Sequence, residues 1–200
     1  SDDWGRWPSS SQHLFSTLGH QHRVLWVETM GMRTPRFRTR DLRRGLEKVS
    51  SWVGGGPSVP WRATPPRMKR FSPVMQPWFG PDLGRRLNEE LMLRSLRRKI
   101  AELGLVEPVL VTTLPIAAPL VGQLGESRSV YYRVDNFSLW PGYPSDLMDR
   151  LENELVGKVD RMVVSAEGLR RPDFQGPQLL LDHGVEREHF SHPSSPTPAP

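Results

Sequence analysis

The chain contains no cysteine, so it has neither a disulfide framework nor a metal site built on thiolates. It also lacks long apolar runs, and no stretch approaches the roughly 20 residues that a membrane-spanning helix requires. A Walker motif and a GxSxG elbow are absent, which leaves no signature of a P-loop enzyme or a serine hydrolase. The histidines show no zinc-ligand spacing, and we expect no metal and no cofactor. The lack of cysteine fits a reducing compartment, and we expect a cytoplasmic protein.

The chain is basic and rich in proline and glycine. It carries a formal net charge of +5 over 200 residues, and its 20 proline and 17 glycine residues predict long irregular connections. Basic residues concentrate at 33–44, 67–70 and 85–99. Such clusters bind nucleic acid, anionic lipid or phosphorylated ligands, although a solvated helix face is the commoner role of any single cluster. No nucleic-acid-binding motif accompanies them, so we expect no specific nucleic acid partner.

Short apolar runs alternate with segments of helical periodicity. The apolar runs predict buried parallel strands at 23–28, 109–114, 129–134, 161–165 and 178–181. Helices are predicted from the serines at 9–11 to Gly19, from 39 or 41 to 49, and over 82–104, 115–125 and 145–158. This alternation is typical of βαβ units, and it predicts an α/β protein with a Rossmann-like, doubly wound parallel sheet.

We expect one domain followed by a tail. Residues 1–190 form the domain, with a long irregular loop at about 50–81 that contains one short strand near 59–62. Residues 191–200 are a Pro/Ser-rich linker or tail. Ser1, Asp2 and Asp3 resemble the end of a strand whose apolar body is missing. We therefore expect the first strand of the sheet to be largely absent and the chain to be a piece of something longer.

Asp135 lies where the strand at 129–134 should end, and ligands of open α/β sheets bind outside the carboxyl ends of the strands. Three roles are open to its carboxylate. It could take a proton from an acceptor hydroxyl, hydrogen-bond a sugar hydroxyl, or cap the following turn with Asn136 and Ser138. The aromatic residues around it either stack on a sugar or lipid or pack half-buried; they are Tyr131, Tyr132, Phe137, Trp140 and Tyr143.

A second candidate segment is the run of serines that opens the first predicted helix. Helix N-termini present free N–H groups, so this segment could hold a phosphate or carboxylate, or a serine could simply cap the helix. Both roles can hold at once. Our predicted catalytic residue is Asp135, and the predicted substrate-binding residues are Ser9, Ser10, His13, Tyr132, Asn136 and Trp140. Glu152 and Glu154 are expected to be solvated or ion-paired.

Six segments in order resemble the N-terminal domain of GT-B glycosyltransferases. They are PSSSQHL, RVLWVE, PVLVTTLP, VYYRVDNFS, ELVGKVDRMVVSAEGL and LLLDHGVEREHF. The similarity covers about residues 2–190 and is greatest to bacterial enzymes that build cell-surface polysaccharides, including teichuronic acid biosynthesis glycosyltransferases and, more distantly, the xanthan glucuronosyltransferase.

This resemblance implies a Rossmann-like acceptor-binding domain, one half of a GT-B enzyme. In that fold a second, C-terminal domain binds the nucleotide-sugar donor and catalysis occurs in the cleft between the two halves. In the xanthan enzyme a strand-end Asp of the N-terminal domain is the catalytic base, and Asp135 matches its position. The donor-binding domain is absent from this chain, so the resemblance implies a glycosyltransferase that is inactive until a separate donor-binding domain or subunit completes it.

Two functions remain open from the sequence. The first is the acceptor-binding half of a glycosyltransferase that acts on a polysaccharide or lipid-linked acceptor. The basic clusters and the residues Trp52, Trp61, Trp78 and Phe79 of the long loop could then place it peripherally on the anionic inner membrane leaflet. The second is a non-catalytic, truncated module that binds a sugar-phosphate or a partner.

Overall fold

A computed structural model describes residues 4–5, 9–28, 63–73, 82–140 and 145–184, with the backbone alone for 82–88. The described strands are β1 (Val24–Val27), β2 (Met68–Phe71), β3 (Val109–Thr112), β4 (Arg128–Arg133), β5 (Arg161–Val164) and β6 (Gln178–Leu180). The described α-helices are α1 (Ser10–Gln21), α2 (Asp82–Glu102) and α3 (Ser145–Val156). Short 3₁₀ helices span Pro115–Leu120, Phe137–Leu139 and Glu167–Leu169.

All described strand pairs are parallel, and they form two sheets. The smaller sheet pairs β1 with β2, so that Val24 lies opposite Met68. The larger sheet has the order β3-β4-β5-β6. The prediction of an α/β protein with parallel strands is confirmed. Parallel strands in two sheets are compatible with the predicted Rossmann-like fold, and among the described residues no strand lies between β1 and β3.

The two sheets run in the same direction. At the amino ends of the strands, the guanidinium of Arg23, which precedes β1, donates to the carbonyls of Leu103 and Gly104, which precede β3. At the carboxyl ends, Ser10 at the start of α1 is hydrogen-bonded to His183 beyond β6 and lies beside Tyr132 of β4. These contacts place the carboxyl ends of both sheets on one side of the molecule.

Helix α1 begins as its sequence predicts and ends later. Ser9 is the N-cap, since its hydroxyl accepts a hydrogen bond from the backbone N–H of Gln12 at 3.4 Å. The predicted end at Gly19 is wrong, because the helix continues to Gln21. Gly19 serves close packing instead: a Cβ atom there would lie 2.8 Å from the Cβ of Pro65.

We expect Gly19→Val to lower the free energy of unfolding by about 1–3 kcal/mol, as overpacking of a tight contact does. The added side chain collides with the rigid ring of Pro65, which cannot move away as a flexible side chain would. Gly157→Val is the matched control, because its Cβ would meet the nearest atom at an ordinary 3.5 Å. Urea denaturation of both variants measures the difference, and equal stabilities would contradict the packing role of Gly19.

Four apolar clusters hold the described parts together, and one of them packs Phe137 of the loop after β4 against Met148 and Leu151 of α3. The largest lies between the four-stranded sheet, α3 and the first 3₁₀ helix, and it includes the fully buried residues Tyr131, Leu155, Met162, Val164 and Ala118. A second cluster around Met92 and Leu96 of α2 contacts both sheets through Val27 and Leu110. The third packs the indole of Trp4 edge-on against that of Trp26, with ring centroids 4.9 Å apart.

Two further predictions require correction. The helix predicted over 115–125 is a 3₁₀ helix that ends at Leu120, because Pro119 lacks an N–H and Gly122 and Gly125 take φ values of +80° and +70°. The loop at 50–81 contains the strand β2, which the prediction missed. Its Lys69 and Arg70 are exposed, so the apolar signal is confined to Met68 and Phe71. The strand near 59–62 and the helix that ends at 49 lie outside the described residues.

Candidate functional site

Asp135 lies beyond the carboxyl end of β4, as its sequence position predicts. Strand β4 ends at Arg133, and the half-buried carboxylate of Asp135 then receives two hydrogen bonds from the loop that follows. Its Oδ1 accepts from the backbone N–H of Asn136 and its Oδ2 from the indole Nε1 of Trp140, both at 2.8 Å. Each carboxylate oxygen has a second lone pair for a ligand, so the carboxylate is oriented without being saturated.

The loop after Asp135 is a small capped turn. Asn136 caps the 3₁₀ helix Phe137–Leu139, and its Oδ1 accepts from the backbone N–H of Ser138 at 3.3 Å and from the hydroxyl of Ser138 at 2.7 Å. The ring of Trp140 lies 5.3 Å from that of Phe137 and is 42% exposed. An accessible indole face therefore stands beside an oriented carboxylate. The capping role that the sequence left open is present, and it leaves the ligand-binding roles available.

The N-terminus of α1 forms a second group at the same edge of the sheets. The hydroxyl of Ser10 is hydrogen-bonded to Nδ1 of His183 and lies beside the phenol of Tyr132. Burial raises the pKa of Tyr132 and the neighbouring Ser10 hydroxyl partly offsets this, so the phenol stays neutral. The structure thus brings together Ser10 and Tyr132, two of the predicted site residues. His183 joins them, although in the sequence it follows the last strand with no signal beyond a turn.

The other two predicted residues of this segment have local roles. Ser9 uses its hydroxyl to cap α1, and its Oγ lies 3.1 Å from that of Ser11. The backbone carbonyl of His13 accepts from the hydroxyl of Ser16 at 2.7 Å. The ring of His13 is half-buried. No described contact joins the Asp135 group directly to the Ser10 group, which leaves two neighbouring sets of polar residues at one edge.

A buried ion cluster lies directly beneath this edge. The carboxylate of Glu152 is 4% exposed and accepts from the phenol of Tyr131 at 2.6 Å, from Nε of Arg133 at 2.9 Å and from Nη1 of Arg171 at 3.1 Å. Arg133 also donates to the carbonyl of Leu169 at 2.7 Å. These bonds tie β4 to α3 and to the segment after β5, and they hold the end of β4 from which Asp135 projects.

The protonation states of this cluster follow from its contacts. Burial alone would raise the pKa of Glu152, but hydrogen bonds from Arg133 and Tyr131 outweigh it and hold the pKa below its usual range. Burial, together with the neighbouring Glu152, raises the pKa of Tyr131 far above its usual range. Glu152 is therefore ion-paired, one of the two states that its sequence position allowed. Glu154 pairs with Lys158 at 2.6 Å.

No family model matches the chain, and no curated protein is significantly similar to it.

The basic clusters are partly neutralised within the described residues. Arg70 pairs with Glu28 at 2.6 Å, and the exposed face of α2 carries the ion pairs Arg94–Glu90, Arg98–Glu102 and Lys99–Glu102. The cluster at 33–44 and the residues Trp52, Trp61, Trp78 and Phe79 lie outside the described part of the chain. No described helix is long and apolar enough to cross a membrane. In the same residues, no three His, Asp or Glu side chains gather as a metal site.

Proposed function

We propose that this chain is the acceptor-binding half of a glycosyltransferase. The observation that carries the proposal is the oriented carboxylate of Asp135 beside the accessible indole of Trp140, at the carboxyl edge of a parallel sheet. This edge is where open α/β sheets bind their ligands. Six ordered segments of the chain resemble GT-B N-terminal domains. In that resemblance, Asp135 has the position of the residue that contacts the acceptor hydroxyl.

The chemistry assigns a separate task to each group. The acceptor sugar lies against the apolar face of Trp140, and its reactive hydroxyl donates to Asp135. Asp135 takes the proton as the hydroxyl oxygen bonds to the anomeric carbon of the donor sugar, and the bond from that carbon to the phosphate oxygen breaks so that the nucleotide leaves with the electron pair. A nucleotide-sugar donor is bound by a separate donor-binding domain or subunit. The acceptor is a glycan, free or lipid-linked, and a lipid-linked acceptor would place the chain peripherally at an anionic membrane surface.

A second candidate, a non-catalytic module that binds a sugar-phosphate or a partner, is favoured by a different observation. Both oxygens of Asp135 already accept hydrogen bonds from their own loop, so the loop alone accounts for the position of the carboxylate. A carboxylate held in this way can accept a hydrogen bond from a ligand hydroxyl without any reaction. Both candidates bind the same class of ligand, but only the glycosyltransferase transfers a sugar to it.

Asp135→Asn is expected to weaken acceptor binding about 10- to 100-fold, because a hydrogen bond to a charged group contributes about 1.5–3 kcal/mol. The measurement is titration calorimetry with oligosaccharides of bacterial surface polysaccharides, free and linked to polyprenyl phosphate. Ser138→Ala is the matched control, since it loosens the same loop by removing one 2.7 Å hydrogen bond and keeps the carboxylate. Equal affinities for wild type and Asp135→Asn would contradict the proposed site.

Turnover separates the two candidate functions. The chain is mixed with a GT-B donor-binding domain and a nucleotide-sugar, and sugar transfer to the bound acceptor is measured. Transfer that is lost in Asp135→Asn, with donor binding unchanged, supports the glycosyltransferase. Acceptor binding without transfer under any pairing supports the non-catalytic module.

A further inference from the structure

A pocket of about 320 Å³ lies at the amino edge of the two sheets, opposite the edge that carries Asp135. Its described wall comes from the start of β1, from β2 with the residues before it, and from the segment after α2. The lining residues are Arg23, Val24, Pro66, Arg67, Lys69, Leu103 and Leu105. Three of these side chains are cationic, and no acidic residue is among the described ones that line the pocket. The pocket therefore concentrates positive charge.

Two of the three cations are held by backbone carbonyls at the ends of helices. The guanidinium of Arg23 donates to the carbonyls of Leu103 and Gly104, directly after α2. The guanidinium of Arg67 donates to the carbonyl of Gln21, the last residue of α1, at 3.3 Å. A guanidinium has more N–H donors than these contacts use, so both groups are positioned and still have donors for a ligand.

The third cation, Lys69, has no carboxylate partner among the described residues. It lies in β2 opposite Leu25 of β1. Its neighbour Arg70 differs, because it pairs with Glu28 at 2.6 Å. All three cationic side chains of the pocket are exposed, so a ligand reaches them directly from solvent, and added salt weakens the attraction.

The balance of charge indicates which ligand fits. The C-terminal end of a helix carries the equivalent of roughly −0.5 charge, so the two helix ends offset about one of the three positive charges. About two positive charges remain. A phosphate monoester carries about −1.5 to −2 charge at pH 7 and presents several acceptor oxygens, so it matches that remainder. A singly charged group, such as a carboxylate or a phosphodiester, leaves one cation of the pocket unmatched.

The rest of the described wall is apolar and sets the size of the ligand. Val24, Pro66, Leu103 and Leu105 line the pocket beside the cations. An apolar substituent on the phosphate can pack against these side chains and leave water. A volume of about 320 Å³ is at the lower end of the range for small-molecule sites, so the bound part of the ligand is small.

We infer that this pocket binds the phosphate monoester group of a small ligand whose ester substituent is apolar. The phosphate belongs either to a soluble ester or to the headgroup of a lipid such as phosphatidic acid. The site lies at the other edge of the sheets from the residues of the proposed function and does not depend on them.

The first test titrates the full chain with phenyl phosphate at low ionic strength and follows the backbone amide chemical shifts by NMR. The largest shifts are expected at Val24, Lys69 and Leu105, which line the pocket. Phenyl sulfate has the same ring with less charge, and it is expected to bind several-fold more weakly because one cation is left unmatched. Inorganic phosphate lacks the ring and is also expected to bind more weakly.

Lys69→Gln is expected to weaken phenyl phosphate binding about tenfold, the order of one hydrogen bond to a charged group. The variant breaks no described hydrogen bond or ion pair of the side chain, so the fold is expected to be retained. Arg161→Gln is the matched control, because it also removes one positive charge from an exposed strand residue, and Arg161 lies in β5 outside the pocket wall. This control is expected to keep the wild-type affinity.

Vesicle sedimentation distinguishes the two sources of the phosphate. Binding to phosphatidylcholine vesicles that contain phosphatidic acid, lost in Lys69→Gln and kept in Arg161→Gln, supports a lipid headgroup. Binding of phenyl phosphate without binding to these vesicles supports a soluble ester.

Four results would overturn the inference. The first is equal weakening of phenyl phosphate binding in Lys69→Gln and Arg161→Gln, which would reflect net charge alone. The second is a set of shifted amides that excludes Val24, Lys69 and Leu105. The third is equal affinity for phenyl phosphate and phenyl sulfate, and the fourth is equal affinity for phenyl phosphate and inorganic phosphate.

Discussion

Replacement of Glu152 by alanine is expected to lower the free energy of unfolding by about 3–5 kcal/mol, the usual cost of breaking a buried ion pair from one side. The variant leaves the guanidinium of Arg133, which is 6% exposed, without its carboxylate partner. The phenol of Tyr131 loses its acceptor in the same place. Arg171 retains Asp173, with Nη2 and Oδ2 2.7 Å apart, so the loss falls mainly on the two groups of β4.

The pH dependence of this loss has a defined sign. The pKa of Glu152 in the folded chain lies below its ordinary value of 4.5, so its stabilisation is fully present above about pH 4.5. The stabilisation disappears as the pH falls through the lower folded-state pKa. Urea denaturation at pH 7 and at successively lower pH should therefore show the difference between wild type and Glu152→Ala narrowing below pH 4.5.

Glu154→Ala is the matched control on the same helix. Glu154 pairs with Lys158 at the surface, and such exposed pairs contribute about 0–1 kcal/mol. A comparable loss of unfolding free energy in both variants would mean that substitutions in α3 destabilise the chain for another reason than loss of the buried ion pair. A difference that does not change with pH would contradict the assignment of an ionised Glu152.

Leu155→Ala is expected to destabilise the chain by about 2–5 kcal/mol, the range for removing a large aliphatic side chain from a core. Leu155 has no exposed surface and packs in the cluster with Ala118, Met162 and Val164. The sheet and the 3₁₀ helix on either side are rigid elements, so the space left by the side chain cannot fully close. The measurement is the free energy of unfolding from urea denaturation at pH 7.

Leu179→Ala makes the same chemical change at a residue that is 62% exposed. Its cost is expected to stay below about 1 kcal/mol, since little apolar surface returns to water. Because both variants replace leucine by alanine, the difference between their unfolding free energies measures the effect of burial. Similar losses at both positions would mean that the cluster around Leu155 is not the main core of the larger sheet.

The local elements could be predicted from the sequence where one segment carries its own signal. The apolar run of β5 is bounded by polar residues, and it forms a strand within one residue of the expected limits. Ser9 caps α1 because a hydroxyl three residues before a free N–H needs no partner from elsewhere in the chain. Strand β2 was missed for the opposite reason. Lys69 and Arg70 interrupt its apolar signal, and pairing with β1 is what makes it a strand.

The residues of the candidate site also fall into those that the local sequence predicts and those that only the tertiary structure brings together. The position of Asp135 after a strand, and the capping of its loop by Asn136, follow from a few adjacent residues. The contact between Ser10 and His183 joins positions 173 apart in the chain, and no local sequence pattern predicts it. The periodicity of α3 places Glu152 on the helix, but its burial depends on Arg133 and Arg171 arriving from other elements.

The sequence by itself determined the α/β class, the strands β1 and β3–β6, and the acidic-aromatic loop at the end of β4, because apolar runs, caps and turn residues act over a few positions. Only the tertiary structure decided that the described strands form two sheets, that Glu152 is buried in an ion cluster, and that Ser10 meets His183. Those features depend on which distant segments meet, and burial and pairing energies become available only when they do.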